Sequence, residues 1–283
     1  MYPVLIKLGP LAVRTYGFLL VLAFVMGIWF SARRAKKQGS GIEWLPDLSL
    51  IVLISAIVGS RFFYVIYHLK EFEGRILDMI NPIQSTGEIG IGGLSMFGGL
   101  VLAIVCGIVY VHIKKLGVWK IADIVAPSIM LGLSIARIGC FLNGCCFGNP
   151  SESSLSVIFP YNSPGGYMFP DTPIFPIQLV ASFLGFFIFG MLLLLERFKR
   201  FDGFTFWLML IFYSAARFTI DFFRYYEESM IFLRMGGASF TVNQALIVLI
   251  FIVSVFMWIY LRRKSKVETS FGYTLTTKHE PEG

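Results

Sequence analysis

Setting aside Asp123 and Glu196 near the ends of their runs, four charged side chains stand inside apolar stretches of this chain: Arg61, Arg137, Arg217 and Asp221, with Arg224 just beyond the last. Around Arg137, residues 136–148 read ARIGCFLNGCCFG, which adds three cysteines, an asparagine and three glycines. Ionisable groups inside an apolar span are costly and by default mark a functional site. Arginine presents a planar fork of donors that binds multiply anionic oxygens, and phosphate is its natural partner. On a helix, Tyr213, Arg217, Asp221 and Arg224 form one polar stripe, with Arg217 and Asp221 spaced for an intrahelical ion pair. Arg61, Tyr64 and His68 form a second stripe.

The elements that carry these groups read as membrane helices. Of the 283 residues, 56% are hydrophobic and only 14% charged, against about 25% charged in a soluble domain. Seven apolar runs of near-spanning length recur, at roughly 15–32, 48–67, 94–113, 121–143, 175–196, 203–223 and 240–261. The sequence thus predicts an all-α, polytopic membrane protein with seven transmembrane helices. It has one membrane domain over 1–263 and a polar tail over 264–283. The opening MYPVLIKLGP lacks a charged n-region and a small-residue cleavage site, so it reads as an interfacial strip rather than a cleaved signal.

Charge placement gives the orientation. Lys and Arg cluster at 33–37, 114–120, 197–200 and 262–266, directly after the odd-numbered spans, whereas the even-numbered loops hold only Lys70, Arg75, Arg224 and Arg234. The positive-inside rule then puts the N-terminus outside and the C-terminus in the cytoplasm. The formal net charge of +7 is explained by this pattern and by attraction to anionic membrane lipids, not by nucleic acid. Spans two, four and six all run outward, so Arg61, Arg137 and Arg217 share one level in the outer half of the bilayer. A phosphate at that depth, with acyl chains beside it, is a phospholipid headgroup. The competing reading is that Arg217 and Asp221 only link helices while Arg61 and Arg137 extend to the interface. The loop 149–174, rich in Pro, Gly, Ser and Asn and carrying Tyr161, Tyr167 and Phe169, reads as an extracytoplasmic cap or as a disordered connector.

The cysteines admit three readings: packed thiols beside the cradle, a disulfide joining Cys140 to Cys145 or Cys146, or reactive thiols. Adjacent Cys145 and Cys146 would make a strained disulfide. The spacing supplies no fourth ligand for zinc, so no metal is assigned. Cys106, mid-span, reads as packing.

These motifs together resemble the prolipoprotein diacylglyceryl transferase family, over nearly the whole chain. The family's GRIGNFINGE-x-x-G motif is matched at Arg137, Gly139, Phe141, Asn143, Gly144 and Gly148. Tyr16-Gly17 resembles its tyrosine-glycine pair, Gly59-Ser60-Arg61 its G-x-R element, and Asp123 with Pro127 its D-x-x-x-P element. Tyr213, Arg217, Asp221 and Arg224 match its Y-x-x-x-R-x-x-x-E-x-x-R stretch, with Asp for Glu, and Gln178 and Gln244 also fit. The resemblance implies transfer of a diacylglyceryl group from phosphatidylglycerol to the lipobox cysteine of a preprolipoprotein, giving a thioether and glycerol phosphate. It implies the bacterial cytoplasmic (inner) membrane, with the active site toward the extracytoplasmic side, and neither metal nor organic cofactor.

By that resemblance Arg137, Arg217, Tyr16 and Asp221 are the catalytic candidates. Arg61, Arg137, Asn143, Gly98, Gly144, Gly148 and Arg224 would form the lipid and phosphate cradle. Two family histidines are replaced, by Phe97 and Phe175; the family asparagine is Cys140 and a family glutamate is Cys145. Substitute bases are His68, on the Arg61 stripe, a thiolate at Cys145 or Cys146, and Asp221; the alternative is that arginine stabilises the substrate thiolate without a dedicated base. The rival readings are a divergent relative using another acceptor, and a non-enzymatic lipid carrier or transporter. Against a carrier, the charges stop in the outer half and no paired broken helices are visible.

Overall fold

The computed structural model describes residues 4–8, 11–72, 95–226, 231–235 and 238–276. Its long helices are α1 (Thr15–Lys37), α2 (Trp44–Tyr67), α3 (Met96–Ile113) and α4 (Val118–Asn143). A short α5 (Pro164–Met168) precedes α6 (Ile177–Leu195), α7 (Phe204–Asp221) and α8 (Val242–Thr276). Six of them, all but α5 and α7, are long and apolar enough to cross a membrane. In α7, an eighteen-residue helix, Arg217 and Asp221 dilute the apolar composition. Each long helix coincides with one of the seven apolar runs of the sequence.

Three two-stranded antiparallel ribbons complete the fold: β1 (Val4–Leu8) with β2 (Leu11–Arg14), β3 (Val157–Ile158) with β4 (Pro173–Ile174), and β5 (Ile231–Met235) with β6 (Ala238–Thr241). The segment 149–174 is therefore folded rather than a loose connector: Phe159 and Ser163 are buried, and Ser163 caps α5 through the Gly166 amide. The final helix is longer than its apolar run. It runs to Thr276, through the point where a polar tail was expected to begin, with Arg262 over the Trp258 ring and the Ser265 hydroxyl donating to the Arg200 carbonyl.

The chain forms two compact units, residues 1–31 with 122–283, and residues 32–121. In the second, α2 packs on α3 through glycines. A Cβ on Gly98 would lie 2.6 Å from the Gly59 carbonyl oxygen, and one on Gly59 would lie 2.6 Å from the Gly98 carbonyl. Close backbone approach through small residues is the usual way apolar helices associate where lipid supplies no hydrophobic drive. Gly98, expected in the lipid cradle, thus has a packing role.

In the first unit the core is Ala126, Met130, Ile188, Leu192 and Met209, from α4, α6 and α7. Ala23, Leu131 and Ile135 join α1 to α4. Small polar residues let the helices approach: the Ser31 hydroxyl donates to the Ser128 hydroxyl at 2.7 Å, and the Ser182 hydroxyl to the Ser134 carbonyl at 2.9 Å. At the start of α8, Thr241 and Gln244 exchange side-chain to backbone bonds in a capping box.

The buried anchor of this unit is Asp123, with no exposed side-chain surface. Its carboxylate accepts from the amides of Gly203 at 2.8 Å and Phe206 at 2.9 Å, and pairs with the Lys199 ammonium at 2.9 Å. It thus caps the N-terminus of α7 from another helix, supplying the acceptor that Gly203 lacks. Burial pulls Lys199 toward neutrality, but Asp123 and Asp202 outweigh it and hold the ammonium above the ordinary lysine value.

Two outcomes test this architecture. Asp123→Ala leaves two helix amides without their acceptor and Lys199 with Asp202 as its remaining partner, and is expected to cost about 1–3 kcal/mol, measured by thermal unfolding in detergent. Gly98→Val overpacks the α2–α3 contact and is expected to cost about 1–3 kcal/mol in the same measurement, while Gly190→Val, where nothing lies within 4 Å of a new Cβ, leaves the unfolding temperature close to wild type.

Candidate active site

The site of the first unit is assembled where α4 ends. After Asn143 the chain reverses through Gly144 at φ +71 and Cys146 at φ +59. Only glycine reaches such a backbone without strain, so Cys146 holds an unfavourable conformation that the surroundings impose. The turn is fixed from several directions. The Gly144 carbonyl accepts from the Gly165 amide at 2.9 Å, and the Cys145 carbonyl from the Gln178 side chain at 2.9 Å. Beyond it, Gly148 and Asn149 donate to the Phe175 and Phe223 carbonyls, and Tyr225 donates to Phe147. A Cβ on Gly148 would stand 2.5 Å from the Phe175 oxygen and 2.9 Å from the Phe223 oxygen, so no other residue fits.

This pairing corrects the expected geometry of Arg224. The sequence extends the span to 223 and puts Arg224 on the helical stripe, but α7 stops at Asp221. The chain then tightens through amide bonds from Phe222 to Thr219 and from Phe223 to Ile220, and Arg224 pairs by backbone with Gly148. Its guanidinium stacks over the Tyr226 ring at 5.2 Å. The cradle glycines and the end of the arginine helix are therefore tied together by backbone.

Arg217 and Asp221 form the expected ion pair at 2.9 Å, with side chains 12% and 0% exposed, so it is a buried pair and not a surface one. Tyr226 closes a triangle that the sequence did not reveal: its hydroxyl donates to Asp221 at 2.8 Å and accepts from Arg217 at 3.0 Å. Burial raises the Tyr226 phenol above its ordinary value, which keeps it protonated and able to donate. Tyr226 lies past the helix end, where no periodicity marks it. Asp221 Oδ2 and Gln178 Oε1 are buried and have no hydrogen-bond partner among the described residues.

Arg137 and Arg217, from two helices, line one small cavity of about 30 Å³ with Tyr213, Leu133 and Gly185. That volume suits about one water molecule, so a larger anion enters only if side chains part. Tyr16 packs over Gly139, 3.3 Å from where a Cβ would sit, and belongs to the same neighbourhood as Arg137 and the cysteines.

All four cysteines are free. The sulfurs of Cys140, Cys145 and Cys146 lie within 4.8 Å of one another. The Cys145 thiol donates to the Cys140 carbonyl at 3.7 Å, and the Arg137 charge acts on Cys140 and Cys146. Hydrogen bonds from Cys140 and Cys145, followed by Arg224 and Arg137, hold the Cys146 thiol well below its ordinary range despite burial.

Besides Gly98, two expected site residues belong to the other unit. Arg61 stands over the rings of Tyr64 at 5.8 Å and Phe72 at 5.4 Å. His68 stacks on Tyr64 at 4.2 Å, and its Nδ1 lies 3.0 Å from the Tyr64 carbonyl, which engages one ring nitrogen. The helical stripe of Arg61, Tyr64 and His68 is thus present. Arg75 and His279 lie outside the described residues, and so does the side chain of Arg234.

Comparison with known proteins bears directly on this arrangement. The family model described as prolipoprotein diacylglyceryl transferase matches residues 3–260. A phosphatidylglycerol--prolipoprotein diacylglyceryl transferase of Photobacterium profundum is 34% identical over 225 residues, 78% of this chain and 80% of that one. The protein of the same name from Bacillus licheniformis is 33% identical over 227 residues, covering 77% and 79%. That from Bacillus velezensis is 30% identical over 280 residues, 96% of each. A family match across nearly the whole length, on a helical chain with several apolar helices, makes this a membrane transferase: the chain belongs to the prolipoprotein diacylglyceryl transferase family.

Proposed function

We propose that this chain transfers the diacylglyceryl group of phosphatidylglycerol to the thiol of a lipobox cysteine in a preprolipoprotein, forming a thioether and releasing glycerol phosphate. The observation that carries the reading is the convergence of Arg137 and Arg217, from α4 and α7, on one cavity. The names of the relatives supply the donor and acceptor classes.

The chemistry follows from charge. As the thiolate attacks the glycerol carbon, the carbon–oxygen bond breaks and its electron pair leaves with the phosphate. A phosphodiester with one negative charge becomes a phosphomonoester with two, and two guanidiniums aimed at those oxygens favour the later state over the earlier one. Asp221 and Tyr226 hold Arg217 in place, while Asp221 Oδ2 remains available to accept from a headgroup hydroxyl. Tyr16 orients the headgroup beside Gly139, and Asn143, Gly144 and Gly148 shape the floor. Arg224 adds positive charge for the incoming lipid.

The same reading places the protein in the bacterial cytoplasmic membrane with seven spans, α7 being the sixth. The N-terminus is extracytoplasmic, the C-terminus cytoplasmic, and the end of α4 that bears Asn143 faces outward. Lys and Arg clusters after the odd-numbered spans support this orientation.

Purified protein incubated with phosphatidylglycerol and a lipobox peptide should yield a diacylglyceryl adduct on the peptide cysteine by mass spectrometry; an unmodified peptide with lipid bound would point to another acceptor. Arg137→Ala is expected to lower turnover at least about 100-fold while the unfolding temperature holds, and full turnover in that variant rules out the phosphate clamp. Asp221→Ala is expected to lower kcat/KM for the lipid about tenfold by releasing Arg217, with Asp221→Glu restoring most of it.

A further inference from the structure

We propose that Cys140, Cys145 and Cys146 form a trithiolate site for a thiophilic d10 cation of the zinc type, whose open fourth position takes the acceptor thiol. This rests on the transferase reading above. Among the described residues, these sulfurs are the one group of three metal-ligating side chains drawn together, all within 4.8 Å of one another. A cation held about 2.3 Å from each sulfur in a tetrahedron sets the sulfurs about 3.8 Å apart, which rotamer adjustment at a half-buried turn supplies.

The surroundings point the same way. Cys146 sits at φ +59, a conformation that costs on the order of 1–3 kcal/mol for a residue with a Cβ. Thiols that merely fill space need no such backbone. The turn brings Cys145 and Cys146 back toward Cys140, which lies one turn before the helix end. Three thiolates around a divalent cation leave one negative charge, and the guanidiniums of Arg137 and Arg224 act on this cluster. The turn that carries the sulfurs is held from outside by the Gln178 side chain on the Cys145 carbonyl at 2.9 Å and by the Gly165 amide on the Gly144 carbonyl at 2.9 Å, contacts that fix ligand positions. Cys145 and Cys146 are part-exposed, which leaves a path of entry.

The site also answers a chemical need. The chain has three histidines: His68 and His112 lie in the second unit and His279 outside the described residues, so the first unit supplies no imidazole among its described residues. Coordination removes the need for one, because a thiol bound to zinc loses its proton outright. The acceptor S–H proton passes to water as sulfur binds the cation. The bound thiolate then attacks the glycerol carbon of the lipid; the sulfur–carbon bond forms, the carbon–oxygen bond breaks and glycerol phosphate departs. The thioether product is a weak ligand and vacates the fourth position. No oxidant or reductant enters.

The test uses full-length protein in detergent, loaded with Zn2+ for elemental analysis and with Co2+ as a spectroscopic probe. The expected result is one cation per chain, with intense sulfur-to-cobalt charge transfer. Cys140→Ser, Cys145→Ser and Cys146→Ser should each weaken binding about tenfold or more, and Cys106→Ser should not. X-ray absorption of the zinc form should report three sulfurs alone and four with a lipobox peptide, but three with the peptide's cysteine changed to serine. Wild type holding no more cation than the Cys140→Ser variant overturns the proposal, as does a disulfide among the three thiols or a sulfur count unmoved by the peptide; the wild-type readings need no variant to fold. Full transfer by metal-free protein removes this site and leaves the transferase reading standing. A fourth sulfur from the peptide with no transfer keeps the site and removes that reading.

Discussion

An ion buried among apolar helices is stable only with partners built into the same fold, and this constraint organises the first unit. Asp123, fully buried, is satisfied by two amides at the head of α7 and by Lys199. Arg217, at the opposite end of α7, is satisfied by Asp221 and Tyr226. One eighteen-residue helix is thus fixed by a buried carboxylate at each end. Removing either partner leaves an uncompensated charge in a poorly solvating environment, which costs more than the pair itself contributes. The position of Arg217 relative to Arg137 follows from that anchoring, because α7 packs on α4 through the core around Met130 and Met209.

The turn after α4 depends on the same logic in a neutral form. Its carbonyls and amides are satisfied by Gly165, Gln178, Phe175 and Phe223, so the backbone that carries the cysteines is held by the folded segment 149–174, by the start of α6 and by the end of α7. Such redundancy is what allows Cys146 to remain in a left-handed conformation. The geometry of the turn is therefore preset by its neighbours.

How much of this was legible in the sequence differs by residue. The helices were readable because long apolar runs carry their own period, and the Arg217–Asp221 pair because spacing of four on a helix forces the contact. Close backbone approach in the arginine-glycine segment was readable, since its glycines indicate it, and Gly148 does lie against the Phe175 and Phe223 carbonyls. Asp123 was not: it sits at the N-terminal side of α4, and nothing local says that it caps a helix some eighty residues later. Tyr226 was hidden for a related reason, lying beyond the end of α7 in a stretch whose course is set by pairing with Phe147. Arg224 was misplaced because helical phase was extended past the residue where backbone pairing with Gly148 takes over. Local pattern reveals what local geometry dictates, whereas these three positions are dictated by partners distant in sequence.

The backbone pairing of 147–149 with 173–175 and 223–225 has a consequence for how the chain tolerates change in length. Inserting one residue into any of these three short stretches would shift its register against the other two and carry Tyr225, Arg224 and the cysteine turn out of alignment together. The exposed residues 152–155, which lie outside these pairings, could lengthen or shorten without moving them. Relatives should accordingly differ freely in the size of that excursion yet keep the three stretches at fixed length, so that gaps fall between them and not within them.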